Sequence, residues 1–581
     1  MDLRRMKTDL LRGLLAVFVI AGLGACTDAP SVEPDAAAAT IYRGGSILTI
    51  NESQPTAEAI AVQDGKILVV GAESEVLKSR GPDTRIVDLD GRTLLPGFID
   101  AHGHVFNTGL QALAAGLLAE PDGAVNSIAE LQQSLRDWAE AHPERIASTG
   151  WIIGFGYDDA QLQEQRHPTR DDLDAVSTTV PILAIHQSGH LAAINSKGLE
   201  VAGVTAATKD PAGGLYRRRQ GGAEPNGVLE EMAFFELVFS VLGSLSTEDN
   251  QSLLRAGLDL YASFGFTTAQ EGRATIDAVA TESKVASSSG LIMDVVAYPD
   301  IQAAADAIKP PLLSNEYRQR FRIGGAKLNL DGSPQGKTAW LTRPYHVPPP
   351  GQAASYSGYP AIADDDEVIA LVEKAFANGW QLLAHCNGDA AADQFIMAVR
   401  AATRKYGAAD RRPVMIHAQT VREDQLDAMK ELGIIPSFFG MHTYYWGDWH
   451  RDSVLGPERG ARISPARSAL DRGMLFTQHH DAPVALPSSI MILASQVNRT
   501  TRSGKTLGPE QRVSVMEALK SITINAAYQH FEEDRKGSLE AGKLADFVIL
   551  DRNPLDVEPA DLASIRVMET IKEDVTIYKA G

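Results

Sequence analysis

Between residues 93 and 536, short apolar stretches alternate with longer stretches of helical periodicity. Eight apolar stretches have the length and composition of strands; they lie near residues 93–100, 266–271, 291–298, 321–330, 380–385, 413–417, 434–438 and 474–477. Helical patterns over 366–378 and 422–432 separate the later ones. Eight strands with intervening helices favour a (β/α)8 barrel, the TIM-like α/β fold, over an open doubly wound sheet. No Gly-x-Gly-x-x-Gly motif follows an early strand, which argues further against a dinucleotide-binding fold.

Two other parts of the chain do not fit this alternation. Residues 110–260 follow the first barrel strand and are too long for a connection, so we predict an inserted subdomain over the barrel mouth. Residues 40–92 and 537–581 are rich in short strands, and Asp64-Gly65 between alternating apolar residues predicts a hairpin. We expect these two terminal segments to form one small β-sandwich domain, which leaves residues 93–536 for the barrel.

Composition excludes several classes of protein. The chain has 581 residues, of which 44% are hydrophobic, so it is too apolar to be disordered and long enough to bury a large core. Its 74 acidic and 54 basic residues give a formal charge of −20, the opposite of what nucleic-acid binding requires. We therefore expect no nucleic-acid partner. Two cysteines cannot form a disulfide scaffold.

The N-terminus has the pattern of an export signal. A net positive start over residues 1–12 is followed by an apolar run from Gly13 to Ala25. At about 1.5 Å per residue this run is too short to cross a hydrocarbon core of about 30 Å, so it indicates a signal peptide. Leu23-Gly24-Ala25-Cys26 resembles a bacterial lipobox. Residues 1–25 would then be removed, Cys26 would be lipidated, and residues 26–39 would form a flexible tether.

The lipobox interpretation implies an exported lipoprotein, anchored by its lipid on the periplasmic side of a membrane. The first acidic residue after Cys26 is Asp28, in the second position, so no inner-membrane retention signal is obvious and the outer membrane is favoured. The alternative is an ordinary secretory signal in which Cys26 is incidental.

A His-x-His pair lies at the end of the first predicted barrel strand, in Phe98-Ile99-Asp100-Ala101-His102-Gly103-His104. Side chains two residues apart in an extended chain point the same way. His102 and His104 can therefore offer two imidazoles to one metal ion at the C-terminal end of the strand, where barrel enzymes build their active sites. Taken alone, such a pair is as often two surface histidines.

Three later strands end in the same kind of residue. His385 ends the fifth strand, His417 ends the sixth, and Asp481 follows the eighth. The two histidines are 32 residues apart (417 − 385), about one βα unit, so they belong to adjacent strands. Five candidate ligands at the same end of successive strands make a metal site the better explanation.

Lys327 lies within the fourth strand, in Gly325-Ala326-Lys327-Leu328-Asn329-Leu330. Burial of a lysine in an apolar strand lowers the pKa of its ammonium group and gives a neutral amine. Such an amine can add carbon dioxide to form a carbamate, whose two oxygens can bridge two cations. The alternative is a lysine that extends to solvent, but beside the histidines we favour the carbamate.

The order His-x-His, Lys, His, His and Asp on strands one, four, five, six and eight resembles the metal-dependent amidohydrolase superfamily. Four segments are similar to its family 3 branch, which contains N-substituted formamide deformylases: 96–102, 327–332 with Thr338-Ala339, 385–390 and 417–419. The likeness covers about residues 40–575. It implies that one metal ion is bound by His102, His104 and Asp481, a second by His385 and His417, and that a carbamate on Lys327 bridges them.

Two positions depart from that family's pattern. Lys337 stands where arginine is common, and His479-His480 precede Asp481 where Gly-Ser is usual. Both departures leave the metal ligands intact and bear on the choice of substrate.

The segment Ser188-Gly189-His190-Leu191 of the insertion resembles the family's His/Asn segment that faces the active site. The resemblance implies that His190 holds the substrate carbonyl or oxyanion; the alternative is a hydrogen-bonded loop histidine. An aromatic-rich stretch, residues 438–450, is expected to form an apolar substrate wall or simply to pack within its loop. Cys386 should point away from the ligands and be inert.

Together these features predict a metal-dependent hydrolase that cleaves a non-peptide amide bond of a small molecule. One or two divalent ions, expected to be Zn²⁺, would lower the pKa of water to about 7. The resulting hydroxide would attack the carbonyl, and Asp481 would carry its proton to the leaving amine as general base and acid. The alternatives are a hydrolytic deaminase or an esterase or lactonase with the same ligands, and a periplasmic binding lipoprotein without turnover. The complete ligand set argues against the last, since binding needs neither hydroxide nor a proton carrier.

Overall fold

The computed structural model describes residues 37–243 and 245–581. The predicted signal peptide, residues 1–25, and Cys26 lie outside the described residues, as does the predicted tether up to residue 36. The first strand begins at Ala38, within the last residues that the sequence analysis gives to the tether.

Eight parallel strands form a barrel in the middle of the chain. We number them β1 to β8: Phe98–Ile99, Phe266–Ala274, Asp294–Pro299, Phe321–Ile323 continued by Gly325–Asn329, Gln381–Cys386, Val414–His417, Ile435–Phe438 and Thr477–Gln478. Successive strands are hydrogen-bonded in this order. The chain after β8 returns to the chain after β1, where the Asp481 N–H donates to the His102 carbonyl at 3.2 Å. This is the α/β, TIM-like barrel that the sequence predicts.

Glycines divide two of the predicted barrel strands. The sequence predicts one strand over residues 93–100, but Thr93–Pro96 pairs with the terminal sheet and only Phe98–Ile99 pairs with β2. A side chain at Gly97 would place its Cβ 2.4 Å from Thr267, so only glycine lets the chain pass from one sheet to the other. The predicted strand 93–100 is therefore divided between the terminal sheet and the barrel. The barrel begins at Phe98 and not at residue 93. At Gly324, β4 passes in the same way from β3 to β5.

Helices connect the strands and cover the barrel. Those of seven residues or more in this layer are Val105–Leu113, Thr247–Ser263, Ile276–Ser288, Asp365–Ala377, Asp389–Tyr406, Glu423–Leu432, His442–Trp449, Ser489–Asn498 and Val515–Ser521. Shorter ones are Gly456–Ala461, Ala466–Asp471 and Ile524–Gln529. The helix Asp365–Ala377 shows why they form: the Asp364 carboxylate caps the first turn, and Val368, Val372, Ala375 and Phe376 form one buried face.

The insertion after β1 contains a six-stranded sheet with its own helices. Its strands are Ala115–Gly116, Ile152–Tyr157, Ile182–His186, Leu191–Ile194, Gly214–Arg218 and Pro225–Glu231. Its helices are Ile128–Ala141, Pro143–Thr149, Arg170–Asp174, Ser196–Val201 and Met232–Gly243. The predicted range, 110–260, is too wide at its C-terminal end, because Thr247–Ser263 packs on Val105–Leu113 in the barrel's outer layer. Gly109 and Gly257 allow that close contact, since a Cβ on either would lie near 2 Å from the facing backbone.

Both ends of the described chain join in one eight-stranded sheet. Its strands are Ala38–Leu48, Thr56–Gln63, Lys66–Gly71, Arg80–Asp88, Thr93–Pro96, Phe547–Leu550, Val567–Lys572 and Val575–Lys579, with a short helix Glu73–Val76. The sequence predicts a β-sandwich of two sheets, whereas the structure has one connected sheet that curls until Lys66 and Leu544 form a bridge. Curling lets one sheet enclose a core of its own, which includes Tyr42, Ile60 and Phe547.

Buried ion pairs join the terminal sheet to the bottom of the barrel. The Nζ atoms of Lys572 and Lys536 both lie 2.7 Å from Oδ2 of Asp294, the first residue of β3. Lys536 also contacts Glu532, which pairs with Arg322 at 2.7 Å. These side chains are almost completely buried, so each charge depends on its partners.

Candidate metal centre

The barrel brings all six predicted ligands to one end. His102 and His104 follow β1, Lys327 lies in β4, His385 in β5, His417 ends β6 and Asp481 follows β8. The C-terminal ends of parallel barrel strands meet at one face, which explains why residues from five strands converge. His417 and Asp481 adopt left-handed backbone conformations, φ +70° and +52°. Such strained conformations in residues other than glycine concentrate at functional sites.

Asp481 is the common neighbour of the histidines. Its Oδ1 atom lies 3.3 Å from Nε2 of His102 and 3.4 Å from Nε2 of His104, and its Oδ2 atom lies 3.9 Å from Nδ1 of His417. Candidate ligand atoms of His102, His417 and Asp481 all lie within 4.8 Å of one another. The three side chains are almost fully buried.

Lys327 of β4 contacts His102, which follows β1. Its Nζ atom lies 2.9 Å from Nε2 of His102. Burial lowers the pKa of Lys327 to about 7, so its neutral amine is accessible at physiological pH. This is the protonation state that a carbamate requires of its precursor.

His385 and His417 form the second pair of predicted ligands. Their ring centroids lie 4.4 Å apart. Nδ1 of His385 donates to Oδ1 of Asp331 at 3.0 Å, so its Nε2 atom carries a lone pair. Neither nitrogen of His417 has a hydrogen-bond partner among the described residues, although the ring is buried.

These orphaned atoms test whether the residues fit a cation. Two unpaired imidazole nitrogens and the unpaired Oδ1 of Asp481 are buried together, an arrangement that is costly without a partner. Imidazole nitrogen and carboxylate oxygen are ligands that divalent zinc and related ions prefer. The residues therefore fit divalent metal.

Three residues that the sequence analysis did not select orient the histidines. Gln270 accepts a hydrogen bond from Nδ1 of His102 at 2.7 Å, and Glu271 lies 3.8 Å from Nδ1 of His104. Asp331 holds His385 as described above. Such outer partners fix the tautomer and the ring orientation of metal-binding histidines. Gln270 and Glu271 end the predicted second strand, so the strand-end rule that located the ligands could have located them too.

His190 lies at the same cavity as the ligands. Its ring is 5.9 Å from that of His385, and its Nδ1 atom lies 2.8 Å from Oε2 of Glu231, another residue that sequence analysis missed. The cavity has a volume of about 130 Å³ and includes His104, Lys327, His385 and Asp481 in its wall. His190 is thus placed beside the ligands and held by a carboxylate.

The apolar wall of this cavity comes from an unexpected part of the chain. Its aromatic residues are Phe155, Phe234 and Phe235, all in the insertion. The predicted wall, residues 438–450, is mostly buried against other segments: the Nε1 atom of Trp446 donates to Oδ2 of Asp158 in the insertion at 2.6 Å. Phe439 and His442 line a small second cavity beside His417 and Asp481. Phe439 packs against the His417 and His479 rings. The aromatic content of one loop does not show which loops cover the barrel mouth. In this structure the insertion covers it.

The two departures from the family pattern have different surroundings. Lys337 points away from the ligands, because its Nζ atom donates to the Val347 carbonyl and to Oγ of Ser453. His479 lies among the ligands, with its ring centroid 5.3 Å from that of His102 and 5.1 Å from that of His417. Cys386 is buried, and burial raises the pKa of its thiol, as expected for an inert cysteine.

A second group of ligand-type side chains, Asp159, His167 and His186, lies in the insertion. The Ser188 N–H donates to Nδ1 of His186 at 3.0 Å, so the ring carries its proton on Nε2. That nitrogen lies 3.1 Å from Oδ1 of Asp159. Asp159 and His186 are thus a hydrogen-bonded pair beside the turn before His190, and Nδ1 of His167 contacts the hydroxyl of Tyr157 at 3.2 Å. We assign this group no metal.

Comparison with known proteins identifies a family for the chain. The model of the amidohydrolase family matches residues 85–578. The chain belongs to the amidohydrolase family. It is 27% identical over 560 residues to the N-substituted formamide deformylase of Arthrobacter pascens, a match that covers 92% of this chain and 97% of the relative. It is 25% identical over 566 residues to the putative amidohydrolase YtcJ of Bacillus subtilis, covering 93% and 99%.

Among solved structures, this amidohydrolase is similar to an uncharacterized metal-dependent hydrolase from Pyrococcus horikoshii. The TM-score is 0.70 at 24% identity, and the match covers 90% of this chain and 99% of the other. At that identity the likeness supports the fold alone. Membership of the family makes the chain a metal-dependent hydrolase that acts on carbon–nitrogen bonds.

Proposed function

We propose that this amidohydrolase cleaves a non-peptide amide bond of a small molecule at a two-metal centre. The proposed ligands of one ion are His102, His104 and Asp481, and those of the other are His385 and His417. Lys327 would bridge the two as a carbamate, and zinc is the expected metal because imidazole nitrogens dominate the set.

The observation that carries this proposal is the position of Asp481 between the two histidines of the His-x-His pair. The separations of 3.3 and 3.4 Å between Oδ1 and the two Nε2 atoms match the spacing of about 3.3 Å between ligands that share one tetrahedral zinc ion. The Oδ1 atom of Asp481 has no hydrogen-bond donor among the described residues and is free to accept a proton.

When bound, divalent metal lowers the pKa of water to about 7 and so supplies a hydroxide nucleophile at neutral pH. Asp481 accepts the proton of the attacking water and delivers it to the leaving nitrogen, in the role of general base and then general acid. Burial lowers the pKa of His190, but the charge and the hydrogen bond of Glu231 outweigh it and raise the pKa. In its protonated form His190 donates from Nδ1 to Glu231 and would donate from Nε2 to the substrate carbonyl oxygen as negative charge develops on it. The apolar insertion residues keep bulk water from the cavity.

The test combines metal analysis with a substrate screen. We expect the purified protein to hold up to two divalent ions per chain and to hydrolyse members of a panel of N-formyl and N-acyl amides. A chelator should abolish turnover, and zinc should restore it. His417→Ala should lower both metal content and turnover, whereas His346→Ala, at an exposed histidine, should change neither.

Protein purified without chelator that contains no metal, and stays inactive after zinc is added, would contradict the proposal. Turnover of esters or of aminated heterocycles but of no amide would instead favour the esterase or deaminase alternatives. Tight binding of ligands without any turnover would favour the binding-protein alternative.

We also propose that the protein is exported and anchored to a membrane by a lipid on Cys26. The support is the sequence pattern of residues 1–26. No helix in the described part of the chain is long and apolar enough to cross a membrane. Anchoring at the outer membrane, with the enzyme on the periplasmic side, is the arrangement that we propose.

A further inference from the structure

Arg273 is a charged side chain in the wall of the active-site cavity that the proposed chemistry does not use. It lies near the end of β2, next to residues that touch the metal ligands: the Gly272 N–H donates to the Gly103 carbonyl at 2.8 Å. A Cβ on Gly272 would lie 2.3 Å from Cε1 of His102. Arg273 therefore follows a backbone segment held against the His-x-His pair, and it lines the cavity beside His104 and Lys327.

The guanidinium group is fixed by one edge only. Its Nε atom donates to Oδ2 of Asp300 at 2.8 Å. Asp300 is itself held, because its Oδ1 atom accepts the N–H groups of Gln302 and Ala303. The group lies 5.5 Å from the ring of Phe235, which supports it from the side.

The other edge of the guanidinium remains available. Among the described residues no hydrogen bond is found to either Nη atom of Arg273, and the side chain is 31% exposed. An arginine whose Nε is engaged still presents two parallel N–H groups from its Nη atoms, and their spacing matches the two oxygens of a carboxylate. A side chain held in place by Asp300 loses little further entropy when it binds such a group.

The location of this edge defines what it can recognise. Arg273 and Asn107 line both the active-site cavity and a neighbouring cavity of about 480 Å³. The remaining wall of the active-site cavity includes the apolar side chains of Phe155 and Phe234. A substrate with its scissile amide at the metal ligands can thus extend one apolar arm toward the insertion and one arm toward Arg273.

From this arrangement we infer that Arg273 is a specificity-determining residue that binds a carboxylate of the substrate, so that the preferred substrates are amides with one anionic and one apolar arm. This inference rests on the proposed amide hydrolysis and narrows it to a substrate class. It requires no change in the reaction, because the carboxylate takes no part in bond cleavage.

The decisive experiment uses two substrates that differ only in the carboxylate. The metal-loaded enzyme is assayed with N-acetylphenylalanine, in both enantiomers, and with N-acetylphenethylamine, which lacks the carboxylate. We expect the carboxylate to raise kcat/KM by about 10- to 100-fold for at least one enantiomer, mainly through KM, as one charge-assisted pair of hydrogen bonds supplies.

Variants then assign that preference to one side chain. Arg273→Met should abolish the difference in kcat/KM between the charged and the neutral amide, at the metal content of the wild type. Arg273→Lys should retain part of it, and Arg273→Glu should make the neutral amide the better substrate. Arg255→Met, at an exposed arginine on the helix Thr247–Ser263, is the matched control and should keep the wild-type preference.

A binding measurement separates failure of this inference from failure of the proposed function. Calorimetry with 3-phenylpropanoate and 3-phenylpropanol needs no turnover. We expect Arg273→Met to weaken binding of the acid by at least about 10-fold and to leave binding of the alcohol unchanged. If the wild type cleaves amides but treats charged and neutral partners alike, the carboxylate subsite is wrong and amide hydrolysis stands. If no amide is cleaved but the acid depends on Arg273, the reaction is wrong and the subsite stands.

Discussion

The Nζ atom of Lys327 lies 2.9 Å from Nε2 of His102, across the barrel from β4 to β1. The proton of the His102 ring is on Nδ1, because this nitrogen donates to Oε1 of Gln270 at 2.7 Å. The orientation of the Gln270 amide is set in turn by its Nε2 atom, which donates to the Ala101 carbonyl. A lone pair of His102 is therefore aimed at the amine, which donates a hydrogen bond to it.

Replacing Lys327 tests the bridging role. Lys327→Ala should lose most of its turnover and part of its bound metal, because the proposed carbamate oxygens are removed. Short carboxylates such as acetate or propionate, with bicarbonate present, should restore part of the activity by supplying oxygens in the same space. Metal content by mass spectrometry and steady-state rates are the measurements. Full activity and full metal content in Lys327→Ala would show that no carbamate is needed.

Replacing Asp481 separates proton transfer from metal binding. Asp481→Asn keeps the size and one oxygen but cannot accept a proton at neutral pH, so turnover should fall by at least about 10²- to 10⁴-fold. Metal content should fall by a smaller factor than turnover, since the four histidines and Lys327 remain. The rate and the bound metal are measured side by side on the same preparation. An unchanged rate would remove Asp481 from the mechanism.

Gln270 tests whether a residue that contacts a proposed ligand, and not the metal itself, affects metal binding. Gln270→Leu removes the acceptor that holds Nδ1 of His102, and the loss of such partners typically lowers metal affinity about 10- to 100-fold. Zinc affinity is measured by competition with a chromophoric chelator. Gln394→Leu, at an equally buried glutamine in the helix Asp389–Tyr406, is the control and should keep wild-type affinity. Equal losses in both variants would indicate general destabilisation instead of a role at the ligand.

The buried ion pairs below the barrel predict how stability depends on pH. Burial raises the pKa of Glu532, but the attraction of Lys536 and Arg322 outweighs it and lowers the pKa below the usual 4.5. A carboxylate with a lowered pKa in the folded state contributes stability that is present above its unfolded pKa. That contribution is lost as the pH falls through the folded pKa.

Glu532→Gln should therefore be less stable than the wild type at pH 7, by about 3–5 kcal/mol for a broken buried pair. The gap should begin to narrow as the pH falls below about 4.5, because the unfolded wild-type chain takes up a proton there while the folded carboxylate stays ionised to lower pH. Denaturation midpoints from pH 3 to pH 8 give the measurement. Glu316→Gln, at an exposed carboxylate paired with Arg535, should have little effect at any pH. A gap that stayed constant with pH would contradict this assignment.

Cys26 tests the proposed anchor. In a bacterial host, Cys26→Ser should move the protein from the membrane fraction to the soluble periplasmic fraction and abolish incorporation of labelled fatty acid. The specific activity of the purified enzyme should not change, since the described fold begins at Ala38. Membrane association that persists in Cys26→Ser would show that the lipid is not the anchor.

The convergence of the proposed ligand residues could be predicted from the sequence, because a barrel brings the C-terminal ends of all its strands to one face. Once eight strands are identified, a polar residue at each strand end must lie at one face, whatever the loops do. His385, His417 and Asp481 were found in this way. Gln270 and Glu271 satisfy the same rule, but neither belongs to the His, Lys and Asp pattern from which the ligands are predicted. Their role depends on contacts with His102 and His104 that only the folded chain creates.

The strand boundaries were harder to predict. The apolar run over residues 93–100 has no internal signal that it divides between two sheets. The division depends on the proximity of Gly97 to Thr267, which is 170 residues further along the chain. The single curled sheet at the termini depends on similar long-range pairings, such as Leu95 with Val548.

The sequence by itself determined the barrel, the strand-end histidines and the acidic charge, because strand periodicity and residue type are local properties. Only the tertiary structure decided the walls of the site. The aromatic loop that follows β7 is mostly buried against other segments, while Phe155 and Phe234 of the insertion line the larger cavity. In the sequence, nothing distinguishes Arg273 from the other basic residues. It becomes a candidate carboxylate subsite because it lines the cavity and Asp300 holds one edge of its guanidinium group. Which side chains meet at a cavity is set by the packing of segments far apart in the chain, and no local pattern records that packing.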